Sequence, residues 1–299
     1  MGMIYLAAVM KAVLSEYHKY QPNMKVNCLY TFGNPKSYQL HKLPELKSAI
    51  NSIICDSGTY AKNAKSKIGI NITLESFMDM CKEPSSNIFD YIFNYDENHF
   101  NTGFKSNLKN IKRCEEQGIR VVPIAHDYIG KKEINYYIKE KYEIIGLGAS
   151  KDKNGNDLKT KKNIINAANR ILDADVKVHL LGVTDYSILI EIPFTFCDSS
   201  TWAREGIKYL FWWNPEENKI DRIYMLDRID SEETNREHIE NYRYKKQFYE
   251  YIDVNFDMDI SDLMGYRMHF YRSIVNMHFF VKLEDIIRKE HRQRGFKID

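Results

Sequence analysis

The sequence predicts an α/β fold: a (β/α)8 TIM-type barrel with an added hairpin and a C-terminal helical layer. Three observations lead there. Eight short, β-rich apolar runs recur along the first two thirds of the chain. Most gaps between them carry helical periodicity. Several runs are near-continuous rather than alternating, as strands buried on both faces of a parallel sheet are. A doubly wound open sheet is the competing arrangement. It usually has a Gly-rich first strand-to-helix turn, and AAVMKA after the first run has no glycine.

The runs are MIYLAAV (3–9), KVNCLYTF (25–32), SIICDS (52–57), YIFNYD (91–96), IRVVPIA (119–125), YEIIGLG (142–148), VKVHLLGV (176–183) and IPFTFCD (192–198). Between the first two, Met10, Val13, Leu14 and Tyr17 keep helical spacing. Thr73, Glu75 and Ser76 open a helix running through Met80. Phe104, Leu108, Ile111 and Cys114 form one stripe that stops at Gly118, a residue suited to the turn after a helix. Residues 133–140 and 161–173 behave similarly, and the gap 184–191 is too short for a long helix. KDKNGND (151–157) reads as a loop.

After Asp198 the pattern changes. GIKYLFWWNPEENKIDRIYMLD reads as a hairpin around Asn214, Pro215 and Asn218, and residues 231–251 and 260–292 read as aromatic helices, the second capped by Asp259 or Ser261. Residues 1–205 are therefore expected to form the barrel core, and 206–299 a hairpin and helical extension packed on the same domain.

Composition narrows the function classes. At 43% hydrophobic and 28% charged, the 299 residues suit a packed core and exclude wholesale disorder. The 43 basic and 41 acidic residues leave a net charge of +2, so nucleic-acid contact would come from local basic patches. No apolar run approaches the ~18 residues of a membrane helix. The opening MGMIYLAAVMKAVLSEY reads as a strand entering a helix, not a signal peptide. Cysteines 28, 55, 81, 114 and 197 show no CxxC or zinc-ribbon spacing, so free buried thiols in a reducing cytoplasm are expected, with no zinc site.

In a parallel barrel, active residues gather at the C-terminal ends of the strands. Asp56 and Ser57 end the third run, Asp96 ends the fourth and His126 follows the fifth. GLGAS ends the sixth, Gly182 and Thr184 end the seventh, and Asp198 ends the eighth. Each has a plainer reading. Asp-Ser-Gly is ordinary turn chemistry, His126 and His179 could be hydrogen-bonded structural histidines, and Asp198 could cap a helix. Ser199, Ser200 and Thr201 could cap equally well.

In this order, DSG, YDE, GLGA, LGV and CDSSTW resemble the tRNA-guanine transglycosylase superfamily over about residues 3–205. The nearer likeness is to its short phage and bacterial branch, which exchanges guanine in DNA for a 7-deazaguanine. The resemblance implies Asp198 as nucleophile and Asp56 as base-contacting general acid/base. It also implies Asp96 as purine-recognition carboxylate and Gly146, Leu147, Gly148 and Ala149 as backbone facing the base. Ser57, Gly58 and His126 join that base site, with Tyr60 or Phe100 as a stacking residue. Lys151 and Lys153 are the candidate phosphate contacts. The chain departs from the tRNA enzymes at Thr59 and Tyr60, at His126 where they usually have Gln, and in having no cysteine after Cys197. Expected partners are DNA, or tRNA as the alternative, a preQ-type 7-deazaguanine base and accessory modification proteins. No cofactor and no membrane are expected. Two other classes compete: a metal-dependent barrel hydrolase using His126, His179 and Asp198, and a catalytically silent binding barrel.

Overall fold

A computed structural model describes residues 2–33, 46–59, 72–97, 103–149, 156–204, 206, 208–226 and 238–297. All eight expected strands form, several shorter than their apolar runs. They are β1 Met3–Ala7, β2 Val26–Thr31, β3 Ile50–Asp56, β4 Tyr91–Ile92, β5 Ile124–Ala125, β6 Ile144–Leu147, β7 Lys177–Leu180 and β8 Phe196–Ser199. Every neighbouring pair is parallel, in the order β4-β3-β2-β1-β8-β7-β6-β5. The sheet curls without a continuous ladder between its edge strands β4 and β5. A lone parallel bridge, Phe93 to Val122, links those edges. The Val122 N–H donates to Ile92 O at 2.7 Å and the Asn94 N–H to Val122 O at 3.0 Å.

Two apolar layers follow from the strand period of two. Tyr5, Leu29, Ile54, Phe93, Val122, Ile124, Ile144 and Phe196 form one cluster on the inside of the curl. A larger layer sits between the sheet and its helices. The helices match their sequence signals. They are α1 Lys11–Tyr20, α2 Leu74–Lys82, α3 Phe104–Glu116, α4 Lys132–Lys139, α5 Lys161–Leu172, the single turn α6 Tyr186–Leu189 and the short α7 Thr201–Arg204. Thr73 caps α2 in a reciprocal pair with Ser76. Gly118, at φ 76°, takes the left-handed turn after α3.

The hairpin forms as β9 Tyr209–Asn214 and β10 Lys219–Tyr224. The helical layer differs from the expectation. Of the segment 231–251, residues 231–237 lie outside the described set. His238 bridges to Tyr224, Ile239–Asn241 make a 3-10 turn, and α8 spans only Lys245–Phe256. The last segment splits into α9 Ile260–Met264, capped by Asp259, and α10 Met268–Gln293. The break falls at Gly265, whose backbone leaves the helical region, and a Cβ there would stand 2.7 Å from Ser261 O.

Buried polar groups tie this layer together and to the curled sheet. Glu284 of α10 accepts from Ile4 N and Asn27 Nδ2, each at 2.8 Å. Arg272, wholly buried, donates to Leu263 O and Met225 O. Trp202 is also buried, and its indole N–H donates to Ala7 O at 2.8 Å. Trp202 therefore packs the junction between α7 and β1, and truncating it to alanine would cost about 3–5 kcal/mol. Among the described residues no helix is long and apolar enough to cross a membrane.

Candidate active site

The strand period that builds the inner layer also aims the chemistry. Ile54 and Asp56 share a face of β3, and Phe196 and Asp198 share a face of β8. Asp56 ends β3 and Asp198 stands one residue before the end of β8, and the two carboxylates interact electrostatically, so both stand at the C-terminal rim of the parallel sheet. Asp96 follows β4 at that rim. Asp56 interacts electrostatically with both of the others. Burial, then the charges of Asp96 and Asp198, push the Asp56 carboxyl up to about 7, against the pull of the Gly58 and Ser57 backbone N–H groups. Gly58 has φ 77°, and a Cβ there would stand 2.1 Å from Phe32 O. The glycine thus lets the turn close tightly and deliver its N–H to Asp56.

Asp96 is buried and heavily bonded. Its Oδ1 accepts from the hydroxyls of Thr59 at 2.5 Å and Ser57 at 3.3 Å. Its Oδ2 lies 3.1 Å from His126 Nε2, within ion-pair reach though off a straight hydrogen-bond line. His126 Nδ1 donates to Ala149 O at 2.6 Å, and Tyr128 OH donates to Gly148 O at 2.6 Å. Burial alone would lower the His126 pKa. The Asp96 carboxylate, Glu133 and the Ala149 carbonyl outweigh it and raise the imidazole above its ordinary value. Both ring nitrogens face acceptors, which favours the protonated imidazole.

Gly146 and Leu147 are buried inside β6. A Cβ at Gly146 would meet Leu181 at 2.9 Å, and one at Gly148 would meet His126 Cε1 at 2.7 Å. The glycines make room for neighbouring side chains, and the carbonyls of Gly148 and Ala149 are taken by Tyr128 and His126. Ala149, half-buried, is the part of the run nearest the rim.

Asp198 keeps 13% of its side chain exposed. Ser199, not Asp198, serves the turn that opens α7: the Thr201 N–H donates to Ser199 Oγ at 2.9 Å. The carboxylate is thereby left to the site. Its Oδ2 accepts from His179 Nε2 at 2.8 Å and from the Gly182 N–H at 3.1 Å. Lys159 stands close by. Its ammonium donates to Leu181 O, and burial lowers its pKa against the opposing charges of Asp198 and Asp157. Sequence reasoning missed Lys159, Thr59 and the role of His179. His179 pairs with Phe196 across β7 and β8, which puts it one step diagonally from Asp198 on the same face, a register the sequence does not show.

Lys151, Lys153, Tyr60 and Phe100 lie outside the described residues. His126 and His179 bind different carboxylates, and among the described residues no three His, Cys, Asp or Glu side chains are grouped to hold a metal ion. The arrangement offers a protonatable acid, a partly open carboxylate and a buried ion pair in one rim cluster. Compared with known proteins, the chain matches no family model, no curated protein and no solved structure.

Proposed function

We propose that this chain is a nucleic-acid guanine transglycosylase on a TIM-type barrel, exchanging guanine in DNA for a 7-deazaguanine base through a covalent aspartyl intermediate. One observation carries the reading: Asp56, held protonatable near neutral pH, interacts with Asp198, a partly exposed carboxylate of the same rim. Two carboxyls with different proton inventories are what base displacement at C1′ needs. Asp198 attacks C1′ as the bond to the guanine nitrogen breaks, and the proton of Asp56 passes to the departing base. The emptied Asp56 carboxylate then takes the ring N–H proton of the incoming base. That nitrogen attacks C1′ and releases Asp198, so two inversions retain configuration. The buried Asp96–His126 pair, with Ser57 and Thr59, backs the pocket for a flipped-out purine. The absence of any cysteine after Cys197 favours DNA over tRNA, whose enzymes carry a cysteine-rich zinc element there. On this reading the protein works in the cytoplasm of a bacterium or phage-infected host, with accessory modification proteins as partners.

The test is incorporation of labelled guanine by the purified chain. Label entering DNA and not tRNA is expected. Label entering tRNA alone would move the substrate to tRNA, and none in either would overturn the reading. Nucleoside mass spectrometry of DNA from cells with and without the protein identifies the incoming base.

A further inference from the structure

Asp198 is gripped by one oxygen. His179 Nε2–H and the Gly182 N–H both donate to Oδ2, and among the described residues no hydrogen bond falls on Oδ1. His179 is itself completely buried, its ring 4.6 Å from that of Phe93 and 6.3 Å from that of Phe196. Its Nδ1 has no hydrogen-bond partner. A second, charged N–H in that apolar slot would be left without an acceptor, so the stable form carries one proton, on Nε2. His126 is the opposite case, with an acceptor on each nitrogen. The site therefore holds two Asp–His pairs that differ in how many ring nitrogens face an acceptor.

The geometry points to His179 as a positioning residue: a neutral donor that, with the Gly182 N–H, fixes Oδ2 of Asp198 and turns Oδ1 toward the anomeric carbon. The inference rests on the reading of Asp198 as nucleophile. A neutral donor orients the carboxylate and leaves its negative charge available for attack, whereas an imidazolium would neutralise it. Phe93 and Phe196 hold the ring so that the aim of Oδ1 is set before substrate arrives.

The test is single-turnover formation of the covalent protein–DNA adduct on guanine-containing DNA, with DNA affinity measured alongside. His179→Phe keeps an aromatic ring and removes the donor. It is expected to slow adduct formation on the order of 100-fold while DNA affinity stays within about twofold. His179→Gln restores a donor and should recover most of the rate. An unchanged rate in His179→Phe, or equal losses in both variants, would overturn the proposal. Nitrogen-15 spectra of the wild-type imidazoles decide the point if neither variant folds: one bare and one protonated nitrogen at His179 is expected, and two protonated nitrogens would overturn it. Failure of the underlying reading looks different. In that case wild type forms no adduct, or Asp198→Asn forms it equally well.

Discussion

His126 Nε2 lies 3.1 Å from Asp96 Oδ2, with both side chains buried. The pair closes a network in which Ser57 and Thr59 hold the other carboxylate oxygen and Ala149 holds the other ring nitrogen. Truncating one partner strands a buried charge. His126→Leu is therefore expected to cost about 3–5 kcal/mol in chemical denaturation, and the double variant with Asp96→Asn less than the sum of the single losses.

The same pair has a pH signature. The His126 pKa is raised on folding, so its contribution to stability is complete below the unfolded value of about 6.5 and is lost as pH rises through the higher folded value. Denaturation midpoints of wild type should fall as pH rises above about 6.5. His126→Leu should show a flatter profile over that window.

Asp56 gives a second titration, in activity. Its carboxyl, pushed up to about 7, must be protonated to release guanine, so exchange should fall about tenfold per pH unit above that value. Asp56→Asn should lose roughly 100- to 10,000-fold in rate and lose this pH dependence. In stability the sign reverses the usual carboxylate case. A raised folded pKa means the native state binds the extra proton, so wild type loses stability as pH climbs from about 4 to about 7. Asp56→Asn should be more stable than wild type at pH 8 by on the order of 1–3 kcal/mol, with the gap closing near pH 4. Parallel melting curves at the two pH values check this.

Gly148 separates packing from chemistry. A Cβ there would stand 2.6 Å from Ile124 Cγ2 and 2.7 Å from His126 Cε1. Gly148→Ala should cost about 1–3 kcal/mol and displace His126 from Asp96. Base affinity should weaken while adduct formation at saturating DNA changes less. Calorimetry with guanine, set beside the adduct rate, measures both.

All eight strands were legible because each is a short apolar run, most of them ended by a polar residue or glycine, and the helices because their stripes and caps are local. The rim aspartates were legible for the same reason: position at a strand end is a sequence property. The pairing of His179 with Asp198 was not read, because it depends on the register of β7 against β8, which is set by packing across the curl. The glycine-rich run could not reveal whether its glycines admit a ligand or a neighbouring imidazole, since both need the same missing Cβ. The split between α9 and α10 was hidden by an apolar spacing that continues through Gly265, where the backbone turns.

The most direct measurement is peptide mapping of the adduct trapped by rapid denaturation of the full chain with guanine-containing DNA. The account predicts a deoxyribosyl-linked mass on the peptide bearing Asp198, absent in Asp198→Asn. A trapped mass on Asp56 or Asp96, or base exchange with no covalent species at all, would contradict it.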